Sequence, residues 1–170
     1  MGVRAKRWYA LYTKSRAEKK AERELQLKGL EAYLPLEKRL KQWSDRKKWV
    51  YEPLIRSYIF LRASQKELYQ AYYTPGIVTI VNFEGKPAPI PDKQIQAIKE
   101  LLKSGEHYEV TSDQFEVGET VEIQAGKLKG MQGELVKQLN RYKVLLRIDV
   151  IQQNILININ PSYLKKVMMD

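Results

Sequence analysis

Few residues in this 170-residue chain could carry out catalysis, and their spacing does not form a catalytic centre. Cysteine is absent, which excludes disulfides, thiolate zinc sites and cysteine nucleophiles. The single histidine, His107, lies in a polar stretch, where a solvated residue is a better interpretation than a general base. Glu116 and Glu119 fall in a predicted turn, and Ser57 has no histidine nearby in the sequence. The sequence therefore predicts a protein that is not an enzyme and that needs no metal or cofactor.

Aromatic side chains suited to binding are abundant instead. The chain has 3 tryptophans and 11 tyrosines, most of them before residue 75. Tyr and Trp are enriched where proteins contact partners. Burial in the core is the alternative, and for Trp8 and Tyr58 both interpretations stay open. Tyr51, Tyr72 and Tyr73 are harder to bury together in a domain of about a hundred residues.

Positive charge is concentrated in the same part of the chain. Residues 1–105 contain 22 basic and 11 acidic side chains, whereas residues 106–170 contain 8 and 9. This asymmetry favours a basic half that lies near an anionic partner, although a merely solvated surface would have the same composition. At 100° per residue, four basic side chains share one face of a predicted helix. They are Arg16, Lys19, Lys20 and Arg23.

The first hundred residues predict an antiparallel sheet covered by helices. Residues 7–13 are rich in aromatics and predict a strand. Ser15 and Glu18 have the spacing of a capping box, which predicts the start of a helix that ends at Gly29. The order strand–helix–strand–hairpin–helix–strand–helix is typical of an α+β fold.

The middle of the chain predicts shorter elements. The basic segment 38–48 predicts a loop or an irregular hairpin tip, and residues 48–51 and 56–62 predict a strand pair around Pro53. The β-branched residues 77–81 predict a strand that is buried on both faces. Two further helices are predicted, one after a capping box of Ser64 and Glu67 and one from Asp92 to Gly105.

The last third of the chain predicts a small β-barrel. Short apolar or alternating segments are separated by glycine turns, with almost no helical periodicity. We therefore predict an N-terminal domain over residues 1–105, a polar linker over 106–114 and a barrel over 115–170. No apolar run approaches the ~20 residues of a membrane span, and the basic N-terminus leads directly into a strand, so we expect a cytoplasmic protein that does not contact membranes.

Several segments, in this order along the chain, resemble the NusG family of transcription factors. Each one alone is a weak signal, but together they are specific, and the resemblance extends from about residue 7 to 167. They are Arg7–Tyr12, similar to the first strand of the family; Ser57–Leu61, similar to its "GYVLV" strand; Thr74–Val78, similar to its "TPGV" turn; Pro89–Asp92, similar to the entry to its third helix; and Phe115–Gly133, similar to a KOW motif.

The resemblance implies an NGN domain followed by an SH3-like KOW barrel. It also implies a mechanism, in which the N-terminal domain binds the clamp helices of the largest subunit of RNA polymerase, bridges the cleft and suppresses pausing. Carried over to this sequence, the contact patch includes Tyr9, Leu54, Ile55 and Tyr58. Thr74 and the basic helix face would lie near non-template or upstream DNA. The barrel would recruit Rho or a small-subunit ribosomal protein, and the chain would act as a monomer.

Three features distinguish this chain from the usual family pattern. Arg56 and Ser57 stand where the family commonly has Pro-Gly, and Pro161 stands where the barrel usually has a partner-binding phenylalanine. The segment Gln42–Trp49 resembles the UpxY-type paralogues, which promote antitermination of surface-polysaccharide operons in Bacteroidetes. A ribosome-associated RNA-binding protein is the alternative function, because KOW motifs also occur in ribosomal proteins.

Overall fold

The structure of the chain is a computed structural model that describes residues 5–168. The chain divides into two compact units, Met1–Asp92 and Lys93–Asp170. The fold is mixed, with antiparallel sheets and, within the described residues, three α-helices. None of the helices in that part of the chain is long and apolar enough to cross a membrane.

The first unit is built around a four-stranded antiparallel sheet with strand order β2-β5-β1-β6. Apolar side chains on one face of this sheet pack with those of helices α1 and α2, and Leu11, Leu25, Ile59 and Leu61 are fully buried there. The elements are β1 (Arg7–Thr13), α1 (Glu18–Leu27), β2 (Glu31–Tyr33), β3 (Leu36–Gln42), β4 (Lys47–Pro53), β5 (Tyr58–Ala63), α2 (Gln65–Tyr72), β6 (Ile77–Ile80), β7 (Asn82–Phe83) and β8 (Lys86–Pro87).

Helix α1 ends as predicted but begins differently. Its C-terminus is a Schellman motif, in which left-handed Gly29 donates to the Gln26 carbonyl and Leu30 donates to the Leu25 carbonyl. At the N-terminus the predicted capping box is wrong, since the cap residue is Ala17 and no side chain caps the helix. The Glu18 carboxylate is instead used by a distant loop, as described below. The second predicted capping box, between Ser64 and Glu67, is confirmed.

The basic segment 38–48 forms most of a long hairpin, so the predicted loop is wrong, and the predicted hairpin tip is limited to residues 43–46. Strands β3 and β4 pair from Leu36↔Pro53 to Gln42↔Lys47. The predicted pairing around Pro53 is also wrong, because β5 pairs with β1 and β2. Strand β6 is not buried on both faces, since it lies at the edge of the sheet and exposes Val78 and Thr79.

The second unit is a six-stranded antiparallel sheet with order β14-β10-β11-β12-β13-β9, together with α3. Its core contains the fully buried Val144, Ile155 and Ile157, and the cluster of Val136, Leu145 and Leu156. The elements are α3 (Asp92–Ser104), β9 (Tyr108–Thr111), β10 (Glu119–Ile123), β11 (Gln132–Gln138), β12 (Arg141–Ile148), β13 (Gln153–Ile157) and β14 (Leu164–Lys166), with 3₁₀ turns at Asp149–Ile151 and Pro161–Tyr163.

The segment predicted to be a polar linker, residues 106–114, contributes a strand to this sheet. Strand β9 pairs with β13, and the Asn154 side chain donates to the Asp113 carbonyl at 2.9 Å. The predicted polar character is correct for Glu109, which is exposed, but Tyr108 and Val110 alternate with it and are half-buried. Because the alternation covers only four residues, it is a weak sequence signal for an edge strand.

Candidate functional site

The four basic residues predicted on one helix face lie together on the surface. Lys19, Lys20 and Arg23 are exposed on α1, and Arg16 is exposed in the turn that precedes it. The opposite side of the helix buries Ala21 and Leu25 in the core. A helix anchored by its apolar side presents Lys20 and Arg23 to solvent, where each could neutralise one phosphate of a nucleic acid. The Lys19 ammonium also donates to the Tyr51 carbonyl at 2.6 Å, and Arg16 lines a cleft beside the hairpin.

Two glutamates of α1 hold the loops that surround the basic surface. The backbone N–H of Ser57 donates to the buried Glu18 carboxylate at 3.0 Å, and the N–H of Leu34 donates to Glu22 at 2.7 Å. Burial raises the pKa of Glu22, and the hydrogen bond from Leu34 opposes that rise. These bonds fix both ends of the segment that contains the hairpin, residues 34–57, against one helix.

Ser57 occupies a backbone conformation that glycine usually adopts. Its φ is 66°, in the left-handed region, where a side chain costs roughly 1–2 kcal/mol. Its N–H is bonded to Glu18, and its carbonyl accepts from the N–H of Thr13 at 2.8 Å. The family departure noted in the sequence at Ser57 therefore leaves a left-handed turn in place, held from both sides by hydrogen bonds.

The predicted contact patch is mostly buried. Tyr9, Leu54 and Ile55 are 8%, 6% and 4% exposed, so these three side chains are not surface contacts in this structure. Tyr9 belongs to the core beneath α1 and α2. Sequence periodicity could not assign this orientation, because alternation along a strand defines two faces without saying which one the helices cover.

Tyr58, the fourth predicted contact residue, is half-buried and has a partner on the neighbouring strand. Its ring packs edge-to-face on Tyr12, with ring centroids 5.5 Å apart, and Tyr12 is 40% exposed. The two residues are directly opposed in the β1–β5 register. Burial, followed by the proximity of Tyr12, raises the pKa of the Tyr58 hydroxyl. This pair combines apolar rings with hydroxyl groups, which suits a protein interface.

Thr74 is only 3% exposed, so its side chain does not face solvent in the turn where the sequence placed it. Its hydroxyl accepts a hydrogen bond from the Lys28 ammonium at 3.0 Å.

Exposed aromatic side chains precede Thr74 in the sequence. Tyr69, Tyr72 and Tyr73 form an exposed cluster on and just after α2, with ring centroids 5.1 and 5.2 Å apart.

In the second unit a charged pair fixes the segment that resembles a KOW motif. The Arg147 guanidinium donates two hydrogen bonds to the Glu134 carboxylate, at 2.8 and 3.0 Å, and a third to the Phe115 carbonyl. Burial acts to raise the pKa of Glu134, but the bonds from Arg147 and the Gly118 N–H hold it below its usual value. Pro161 is exposed at the start of a 3₁₀ turn.

The structure combines a mixed α/β architecture with a basic helix surface and exposed aromatic side chains. Comparison with known proteins gives the class. The model of a family described as "Transcription termination factor nusG" matches residues 6–99. The chain belongs to the NusG family and is a non-enzymatic, NusG-like transcription termination/antitermination factor.

Individual relatives agree with this assignment. The transcription termination/antitermination protein NusG of Staphylococcus aureus is 25% identical over 164 residues, which cover 87% of this chain and 88% of that protein. The protein of the same name from Staphylococcus epidermidis matches equally well. Among solved structures, one titled "Domain interaction in Thermotoga maritima NusG" has the same fold, with a TM-score of 0.52, 21% identity and coverage of 96% of this chain and 98% of that one.

Proposed function

We propose that this chain is an elongation and antitermination factor that binds RNA polymerase through its N-terminal domain and suppresses pausing or termination. The observation that carries the proposal is the family match over residues 6–99, which is the stretch that holds the basic helix surface and the partly exposed Tyr12–Tyr58 pair. Residues 1–105 would act as an NGN-type domain and residues 115–170 as a KOW barrel, and residues 106–114 would join them while adding strand β9 to the second sheet. The factor would act as a cytoplasmic monomer without a cofactor.

The polymerase contact is assigned to the region of Tyr58. Tyr58 and Tyr12 supply the contacting rings, and the clamp helices of the largest subunit are the partner. Leu54 and Ile55 are buried in the loop before β5 and make no direct contact in this assignment. Tyr9 is buried on the opposite face of the sheet, in the core with α1 and α2. Of the four predicted contact residues, only Tyr58 is assigned a direct contact with the polymerase.

Nucleic acid is assigned to the basic surface of α1. Arg16, Lys19, Lys20 and Arg23 would lie beside upstream or non-template DNA, with Thr74 holding its turn in place through Lys28. The β-unit would bind a third partner, either Rho or a small-subunit ribosomal protein. The exposed Pro161, in place of the usual phenylalanine, favours a specialised factor of the UpxY type that serves a polysaccharide operon.

The test is capture of RNA polymerase from purified components by the full-length chain. We expect the wild type and Tyr142→Ala, which removes an exposed ring of the β-unit, to retain polymerase equally. Replacing both Tyr12 and Tyr58 by alanine should weaken retention at least tenfold, since buried aromatic contacts dominate such interfaces. Urea unfolding of the double variant controls for lost stability, and Tyr58→Phe should retain most of the binding.

Unchanged retention by the double variant would contradict the assigned interface. The alternative function, a ribosome-associated RNA-binding protein, is favoured by the segment that resembles a KOW motif and by the formal charge of +10. A parallel experiment therefore measures the binding of the full-length chain to purified ribosomes and to free RNA at moderate salt. Tight ribosome or RNA binding without polymerase binding would replace the proposed function by this alternative.

A further inference from the structure

The β3–β4 hairpin has two chemically different faces. Directly opposed residues of antiparallel strands share a face, so the register assigns every side chain of the hairpin. We define the outer face as Leu36, Lys38, Leu40 and Gln42 of β3 with Lys47, Trp49, Tyr51 and Pro53 of β4. The inner face consists of Glu37, Arg39 and Lys41 with Lys48, Val50 and Glu52.

The inner face uses its charges within the protein. Arg39 pairs with Glu37, and Lys41 pairs with Glu52. The Lys41 ammonium holds the pKa of Glu52 below its usual value. Side chains of this face line a polar cleft whose other wall includes Arg16 and Ser57. The inner face is therefore directed toward α1 and the loops that α1 holds.

The outer face presents aromatic rings and cations, and neither strand contributes a carboxylate to it. Leu40, Trp49 and Tyr51 are 48%, 57% and 54% exposed. The Lys38 ammonium lies over the Trp49 ring, 5.0 Å from its centroid. At the hairpin tip, Arg46 lies over the exposed Trp43 ring at 5.6 Å. Large aromatic side chains that are exposed to solvent indicate a surface that binds a partner.

Single-stranded nucleic acid matches both properties of this face. Its phosphates pair with lysines, and its bases stack on aromatic side chains without sequence preference. A protein partner would have to supply acidic groups and apolar rings together, whereas every nucleotide carries both. Trp49 and Tyr51 are two residues apart on one strand, about 6.8 Å. This is twice the ~3.4 Å rise of a DNA strand, so one base fits between the two positions.

We propose that the outer face of the β3–β4 hairpin binds single-stranded DNA by stacking bases on Trp49 and Tyr51, with Lys38 and Lys47 on the phosphates. The choice of DNA rests on the proposed function, which assigns DNA to the basic surface of α1. The two surfaces are joined, because the ammonium of Lys19 on α1 donates to the Tyr51 carbonyl at 2.6 Å. The segment Gln42–Trp49 thereby becomes part of a DNA site.

The test is fluorescence anisotropy with the full-length chain and a labelled oligothymidylate of about 12 nucleotides, within the size range of such sites. We expect tighter binding to this probe than to duplex DNA or oligouridylate of equal length. Replacing Trp49 and Tyr51 together by alanine should weaken binding at least tenfold. Lys38→Gln should weaken it less and should reduce the slope of log K against log salt by about 0.7.

The matched control removes Tyr69 and Tyr73, two equally exposed tyrosines outside the hairpin, and should bind like the wild type. Equal affinity of the Trp49 and Tyr51 double variant, or no binding by the wild type at low salt, would overturn the proposal. A preference for oligouridylate would replace DNA by RNA as the occupant, and a preference for duplex would exclude base stacking.

The same hairpin variant also separates this inference from the proposed function. It should still capture RNA polymerase, because Tyr12 and Tyr58 are unchanged. Loss of oligonucleotide binding with polymerase capture intact is the expected result. If the wild type binds oligothymidylate but captures no polymerase, the proposed function fails and the stacking site remains. If the wild type captures polymerase but binds no oligonucleotide, only the stacking site fails.

Discussion

Aromatic side chains lie on both the four-stranded sheet and the β3–β4 hairpin, but their exposure differs. Trp8, Tyr9 and Phe60 of the sheet are buried, whereas Trp49 and Tyr51 of the hairpin are more than half exposed. Both regions are antiparallel, but β1 and β5 are buried along most of their length, whereas β3 and β4 are mostly exposed. Tyr9 packs on the sheet face that contacts α1 and α2, and Trp8 and Phe60 are buried on the other face. No strand of that sheet pairs with the hairpin, which forms a separate two-stranded sheet.

The difference shows that residue type alone does not identify a binding surface in this protein. An aromatic residue in the sheet contributes to stability, and an aromatic residue in the hairpin is available to a partner. The sheet is therefore a scaffold, in which mutations should lower stability, and the hairpin is a surface, in which mutations should lower affinity. Each of the following predictions tests one side of that separation.

The largest effect is expected for Phe60→Ala in the centre of the sheet. The ring is fully buried, and its loss should lower the free energy of unfolding by about 3–5 kcal/mol. Urea unfolding measured by circular dichroism checks this value. A loss below about 1 kcal/mol would mean that the sheet face around Phe60 is not a packed core.

A smaller loss is expected for Glu18→Ala, which removes the acceptor of the Ser57 N–H. Leaving a buried donor unsatisfied costs roughly 1–3 kcal/mol, measured again by urea unfolding. Glu18→Gln should recover most of the stability, because its side-chain carbonyl can still accept the bond. Glu24→Ala on the same helix is the control and should change stability by less than about 0.5 kcal/mol. Equal losses for the two alanine variants would contradict the role of Glu18.

Sequence alone predicted a large part of the scaffold. Strand β1, the helix after Ser64, the end of α1 at Gly29 and four strands of the second unit were predictable, because period-two alternation and cap residues are local signals. The start of α1 was not predictable from the sequence. Glu18 accepts a hydrogen bond from the backbone N–H of Ser57, 39 positions away, instead of forming the predicted capping box. A local sequence pattern carries no information about a contact between such distant residues.

The surface was less predictable than the scaffold. The hairpin resembled a loop in sequence because lysine and arginine are poor strand formers, whereas cross-strand ion pairs such as Lys41–Glu52 support it in the structure. Burial of Leu54 and Ile55 depends on tertiary packing that no local pattern encodes. Tyr51, Tyr72 and Tyr73 were predicted to be hard to bury, and all three are exposed.

A pH-dependent loss of stability is expected at Tyr33 on the sheet. Burial, followed by the charge of Glu22, raises the pKa of Tyr33 to about 12. Because the folded-state pKa lies above the ordinary value of about 10, the stabilising contribution is complete below pH 10 and is lost as the pH rises through 12. Urea unfolding across this range should show a steeper loss for the wild type than for Tyr33→Phe. Parallel curves would contradict the burial of the hydroxyl.

The smallest change in stability is expected for Trp49→Ala on the hairpin. An exposed side chain outside the core should alter the free energy of unfolding by less than about 0.5 kcal/mol. Its loss should act instead on oligonucleotide affinity, as described above. A destabilisation comparable to that of Phe60→Ala would show that the hairpin is part of the scaffold and would remove the distinction between the two regions.

Single-round transcription by purified RNA polymerase through a pause site and a terminator tests the central claim most directly. The full-length chain should shorten the pause and increase read-through, and the Tyr12 and Tyr58 double-alanine variant, if folded, should leave both at the level of polymerase alone. Unaltered pausing and termination with the wild-type chain at saturating concentration, or equal activity of the folded variant, would contradict the account.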